Sequence, residues 1–416
     1  MSGYSYTCVD RFLKYVSFDT QSNPESDSFP STEKQKDLAK VLVDELLALG
    51  LSDAAMDEWG YVFATLPGNV DNKVPTIGLI SHMDTSPDVS GKNVKTILHK
   101  KYNGGDIKLG NSGIVIKADE NPDLAKQIGH DIITSDGTTL LGADDKAGIA
   151  EIFDAVSYFK QNPDVKHGPI KIAVTPDEEV GKGADHFDVE KFGADFAYTI
   201  DGESVGEIED ETFCADAVIL TINGVNVHPG YAKNKMINSI KLASHIIEQL
   251  PKHSLSPETT EKREGYVHPH SFVGNEEETI VKFLIRDFTI DGLKAKENFL
   301  KEICHDVMAQ YPKASYEFEI VEYYRNMKYQ LDEEPRVVDY ALEAVRRAGI
   351  TPIKNAIRGG TDGARLSYMG LLTPNVFAGG HNFHSRQEYV SIQDMKKAVD
   401  VIINIVKIWE EKSRKD

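Results

Sequence analysis

Residues 140–181 read LLGADDKAGIAEIFDAVSYFKQNPDVKHGPIKIAVTPDEEVG, and the fold class follows from how this stretch is read. A Gly-containing acidic loop leads into a helical segment and a Gly-Pro pair breaks it. The apolar run IKIAVT then ends in Asp177, Glu178 and Glu179. A helix followed by a short, bounded apolar strand is the repeating step of an α/β layer. The same step recurs outward along the chain. Residues 33–49 (EKQKDLAKVLVDELLAL) place apolar side chains at helical spacing and stop at Gly50, a natural C-cap. YVFATLPG (61–68) and VPTIGLISHMD (74–84) read as strands, and FAYTI (196–200) runs into Asp201. Sheets of this kind gather functional loops at their strand carboxyl ends.

The texture changes near residue 213. DAVILTING (216–224) reads as a strand, NKMINSIKLASHIIEQL (234–250) as a helix, and YVHPHSFVG (266–274) and ETIVKFLIRDF (278–288) as strands. DGLKAKENFLKEICHDVMAQ (291–310) is a second helix and SYEFEIVEYY (315–324) a last strand. The order βαββαβ is that of a ferredoxin-like, two-layer domain. Beyond 325 the α/β texture returns and closes on the helix DMKKAVDVIINIVKIWEEK (394–412). The expectation is a discontinuous α/β catalytic domain, 1–212 plus 325–416, with a mixed sheet flanked by helices. Residues 213–324 form an inserted lid.

A length of 416 residues suits roughly two or three domains. Acidic residues number 66 and basic ones 46, a formal charge of −20, which disfavours nucleic acid and anionic membranes as partners. Three cysteines without CxxC spacing exclude a disulfide framework and suit a reducing compartment. No apolar run reaches the ~18 residues a membrane span needs, and the N-terminus shows no leader pattern. A cytoplasmic location is expected. The lid's edge strands leave monomer and homodimer both open.

Candidate chemistry sits at the strand ends. His82 and Asp84 are two apart, so both project to one side, and a carboxylate there can hold the second nitrogen of a ligating imidazole. Asp144 and Asp145 stand at a helix entrance, where paired acids are either caps or cation ligands. Asp177, Glu178 and Glu179 repel one another unless something positive neutralises them, and neighbouring glutamates in extended chain point opposite ways. Asp201 ends a further strand, and His381 or His384 in GGHNFH (379–384) offers a second imidazole. Two histidines with several carboxylates suit zinc or a similar ion. The excess of acids suggests two metals about 4 Å apart sharing a bridging carboxylate, with an adjacent acid as general base.

HMDTSPD (82–88), LLGADDKAGIAE (140–151), TPDEEVGKGADHF (175–187), YTIDG (198–202), NVHPG (226–230), IRGGTDGA (357–364) and GGHNFH, in this order, resemble the peptidase T branch of the co-catalytic zinc aminopeptidase/carboxypeptidase/deacylase clan. The resemblance spans nearly the whole chain. It implies two divalent ions, most readily Zn2+, and hydrolysis of the N-terminal residue from tripeptides. By the same resemblance His82 and Asp201 ligate one metal, Glu179 and His384 the other, and Asp144 bridges them. Asp84 orients His82, Glu178 is the general base, and Asp145 is a structural neighbour. His228 matches a lid histidine that polarises the substrate carbonyl, and Arg286 and Arg358 are candidates to clamp a peptide carboxylate, although Arg286 could instead pair with Asp287. His381 stays a spare ligand or a substrate contact. A dipeptidase, carboxypeptidase or N-acyl-amino-acid deacylase would use the same donors. A peptide-binding protein without turnover would not need Glu178.

Overall fold

The computed structural model describes residues 3–414 and divides the chain into two compact units. The larger comprises Met1–Asp210, Met327–Asn355 and Thr361–Asp416; the smaller comprises Glu211–Asn326 and Ala356–Gly360. The short return of residues 356–360 to the smaller unit is not visible in the sequence pattern, because a five-residue segment carries no periodicity of its own.

The larger unit is built on an eight-stranded mixed sheet. Its centre is Ile77–His82, buried along its whole length, which pairs in parallel with Ile170–Thr175 on one side and Phe196–Gly202 on the other. Val62–Leu66 joins antiparallel beyond Ile170–Thr175, and Asn375–Phe377 joins parallel beyond Phe196–Gly202. Because the central strands run parallel, the carboxyl ends of all three open on one edge of the sheet. His82, Thr175 and Asp201 lie there.

The helix Ala143–Gln161 covers one face, packing on Ile77–His82 and Phe196–Gly202, and is itself covered by Cys8–Tyr15 and Ile392–Ser413. Gly148 makes the approach possible: a Cβ there would run into the Ile200 carbonyl and the Ser81 hydroxyl. On the other face Tyr61, Ile80, Ala173, Phe187, Phe192 and Leu366 form a second core. A further sheet, absent from the sequence reading, pairs Gly380–His381, Tyr389–Ser391, Ile132–Ser135 and Thr96–His99. It fixes the loop that carries His381 and His384.

The smaller unit has the expected βαββαβ order: Cys214–Asn223, Ser239–Glu248, Tyr266–Gly274, Glu278–Asp287, Ile290–Met308 and Ser315–Tyr324. Its four antiparallel strands lie in the order second, third, first, fourth. Alternate residues Val218, Leu220 and Ile222 face the two helices and pack with Leu242, Ile246, Leu293 and Leu300. Asn238 and Thr289 cap those helices by accepting the N–H of Lys241 and of Gly292.

Candidate metal centre

His82 ends the central strand and is almost wholly buried. Its Nδ1 faces Asp84, 3.1 Å from the carbonyl and 3.3 Å from Oδ1. That leaves Nε2 for the centre, where it lies 2.8 Å from Asp144 Oδ1 and 3.5 Å from Asp201 Oδ1. His82 and Asp84 are thus in contact, although the strand itself ends at His82. Asp84 does more than the sequence suggested. Its two oxygens also accept the N–H groups of Glu178 (3.0 Å) and Glu179 (3.2 Å).

That double acceptance changes the geometry of the acidic loop. Glu178 and Glu179 sit in a 3₁₀ turn, Glu178–Val180, and not in extended chain as the alternation argument assumed. Asp177 precedes the turn at φ +59°, and its carboxylate accepts bonds from the Ser31 N–H (2.5 Å), the Ser31 hydroxyl (2.5 Å) and Gln35 Nε2 (2.6 Å). One acid of the three is thus an anchor. The Glu178 carboxyl has no hydrogen-bond partner among the described residues, and burial pushes its proton affinity well above the ordinary range. Glu179 Oε2 lies 2.7 Å from His384 Nε2, while its Oε1 is buried with no partner among the described residues. Burial, reinforced by Asp144, raises Glu179 to about 8 against the pull of His384.

Asp144 divides its carboxylate: Oδ1 faces His82, and Oδ2 faces His384 Nε2 at 3.2 Å. Burial alone would raise Asp144, but hydrogen bonds from His384 and His82 hold it well below the usual carboxylate range. Gly142, at φ +83°, turns the chain into this position, and the Asp144–Asp145 peptide is cis. The loop is gripped by Glu388, whose oxygens accept N–H groups of Leu141 (2.7 Å), Gly142 (2.7 Å) and Asp144 (3.0 Å). Asp145 accepts the His82 N–H at 3.1 Å and the Gly148 N–H at 3.3 Å. One of its oxygens lies within 4.8 Å of atoms of His82 and Asp201, but both oxygens are committed to these backbone donors.

His82, Asp144 and Glu179 form a second set whose ligand atoms all lie within 4.8 Å of one another. Burial works against charge on both histidines. For His82 the Asp201 carboxylate, and for His384 its bonds to Asp144 and Glu179, overcome that and raise them, His384 to about 11. Burial raises Asp201 to about 6. Such a cluster is short of positive charge, and Glu179 Oε1 is a buried oxygen awaiting a partner. Imidazole nitrogens mixed with carboxylate oxygens match zinc, cobalt or manganese better than an all-oxygen ion site. The residues fit a divalent centre. Burial raises Asp362 of the TDG motif to about 7; it accepts the Thr175 hydroxyl at 2.8 Å beside this centre, a contact the sequence did not suggest.

The other candidates lie in the smaller unit. His228 is exposed, accepts the Gly230 N–H at 3.1 Å and rests on the Tyr231 ring. Arg286 does not pair with Asp287, which binds Lys296 at 2.5 Å; its Nη1 donates to the Ile285 and Asp216 carbonyls. Arg358 donates to the carbonyls of Lys262 and Glu264, both at 2.8 Å, and lies over the Phe213 ring.

Residues 136–408 match peptidase family M20/M25/M40. The peptidase T of Halothermothrix orenii is 52% identical over 405 residues, covering 97% of this chain and 99% of that one. The chain belongs to peptidase family M20/M25/M40, in its peptidase T branch. It is a metallo-aminopeptidase. The peptidase T of Geobacillus thermodenitrificans is 50% identical over 97% of this chain and 98% of its own length. Among solved structures, the aminopeptidase PepT of Bacillus cereus has the same fold (TM-score 0.73, 24% identity, 97% of this chain and 98% of that one). So does a tripeptidase of Staphylococcus aureus (TM-score 0.75, 23% identity, 97% and 98%).

Proposed function

We propose that this chain releases the N-terminal residue of tripeptides and holds two divalent cations, with zinc the best match to its donors. The observation that carries the reading is the divided Asp144 carboxylate, one oxygen on each histidine, beside a Glu178 carboxyl that no described residue engages. His82 and Asp201 would hold one ion and Glu179 and His384 the other, with the Asp144 carboxylate placed to be shared between them. Three ligating carboxylates against two divalent charges leave the centre net positive. Bound there, the cations supply Lewis acidity, which polarises a carbonyl and lowers the proton affinity of water.

The chain's own residues do the rest. Asp84 fixes the His82 tautomer and, through the two N–H groups it accepts, the position of Glu178. Glu178 takes a proton from the attacking water and returns it to the leaving amine. Length selection draws support from the relatives, which include proteins named peptidase T and tripeptidase. Three free, buried cysteines support a reducing, cytoplasmic setting.

The test is hydrolysis of trialanine by cation-loaded protein, beside dialanine, tetraalanine and N-acetyl-trialanine. Release of alanine from trialanine alone is the expected result. Cleavage of dialanine or of the acetylated peptide in its place overturns the substrate assignment and leaves the centre standing.

A further inference from the structure

A cavity of about 490 Å³ lies beside the centre, with His384 on its rim and Asp123, Glu203, His381, Phe383 and Tyr389 among its walls. It lies wholly within the larger unit. Three carboxylates line it, and they are not equivalent. Glu120 pairs with Lys117 at 2.6 Å and Asp123 with Lys126 at 2.6 Å. Glu203 has no side-chain partner among the described residues.

A second, independent feature faces the same space. His381 is only 4% exposed, stacked on Tyr389 with ring centroids 4.9 Å apart, and its Nε2 has no hydrogen-bond partner among the described residues. A buried ring nitrogen left without a partner disfavours the fold unless something supplies one. Burial pushes His381 down to about 4, so the ring is neutral at physiological pH and offers one nitrogen as an acceptor. An unpaired carboxylate and an unpaired neutral imidazole together call for a compact cation rich in N–H donors. A primary ammonium has three such donors. An inorganic divalent ion would need more ligands than the two on offer.

We propose that this cavity is the subsite for the substrate's N-terminal residue, where Glu203 and His381 accept hydrogen bonds from its α-ammonium group. The inference rests on the aminopeptidase reading of the centre. In a peptide the α-ammonium is separated from the scissile carbonyl by one carbon. Its site must therefore adjoin the residues that would hold that carbonyl, and His384 lines this cavity. Phe383 and Tyr389 offer the N-terminal side chain an aromatic wall. Glu203 and His381 are specificity residues and take no part in bond breaking.

The experiment compares trialanine with propionyl-Ala-Ala, which lacks only the amine, as substrates of the cation-loaded wild type, Glu203→Gln and His381→Phe. Binding of the same pair is measured by calorimetry in a Glu178→Gln background. Wild type should favour the free amine at least tenfold. Glu203→Gln should raise KM for trialanine about tenfold with kcat little changed and leave propionyl-Ala-Ala where it was, collapsing the ratio. His381→Phe should lower the ratio in the same direction without lowering Tm, since the nitrogen it removes has no partner. A ratio that survives Glu203→Gln overturns the proposal. Cleavage of dialanine in place of trialanine overturns the tripeptide reading alone, because the ratio can then be scored on dialanine and propionyl-alanine. Failure to bind or cleave any free-amine peptide overturns both.

Discussion

In the smaller unit Asp216 meets Arg325 at 2.6 Å, Glu211 meets Arg263 at 2.5 Å and Asp287 meets Lys296 at 2.5 Å. In the larger unit Asp144, Glu179 and Asp201 gather without a lysine or arginine among the described residues, and the partners they find are His82 and His384. Lys146, beside the paired aspartates, gives its ammonium to the Phe18 carbonyl at 2.9 Å instead. The difference is chemical. An arginine answers a carboxylate permanently because it does not lose its proton. A histidine answers it with a proton that can be exchanged for a cation. Acid count alone does not separate a salt-bridged scaffold from a metal site. The identity of the bases facing the acids does.

The first way to sharpen the contrast is Glu178→Ala, which should reduce kcat by about 10³-fold or more while the cation content is kept. Equal loss of metal would show Glu178 to be a ligand. Chelation is next: it should abolish turnover and lower Tm by several degrees, and added zinc should restore both, because a ligand that binds only the native state stabilises it. A Tm indifferent to chelator would mean that the acids are answered in some other way. In the smaller unit Arg325→Met should cost about 3 kcal/mol, since it removes the cation paired with the buried Asp216. Metal content, read by elemental analysis, should not change.

The smallest effect concerns Glu209, which accepts a bond from Asn375 Nδ2 at 2.8 Å. Burial raises it from 4.5 to about 8. Its raised native value means that the folded state holds a proton the unfolded chain has released. Stability is therefore lost as pH climbs from about 4.5 through about 8. Glu209→Gln should flatten that window and give a Tm above wild type by a few degrees at pH 8, measured by calorimetry. A variant less stable than wild type at pH 8 would contradict the assigned direction.

Strand ends were the legible part of this molecule. Periodicity and the Gly and Pro boundaries locate Ile77–His82, Ile170–Thr175 and Phe196–Gly202; His82 and Asp201 lie in the first and last of these, and Glu178 and Glu179 follow the second in a turn of their own. The βαββαβ order of the smaller unit was equally open to reading, because its strands run nine or ten residues. What stayed hidden are hydrogen bonds made across the chain. Glu388 grips the Asp144 loop from 244 positions away, and Ser31 anchors Asp177 from 146. Neither pairing leaves a periodic trace. The sheet under His381 was missed because its strands are only two to four residues long, too short for alternation to register. The 3₁₀ turn at Glu178 was misread as extended for a related reason: Asp84, far off in sequence, sets its conformation.

If the acids of the larger unit form one centre for two cations about the Asp144 carboxylate, metal stoichiometry depends on that side chain. Counting zinc per chain by elemental mass spectrometry, in wild type, His384→Ala and Asp144→Asn, tests it most directly. Two ions are expected in wild type, one in His384→Ala, and loss of tight binding at both positions in Asp144→Asn. A single ion in wild type, or two retained by Asp144→Asn, would contradict it.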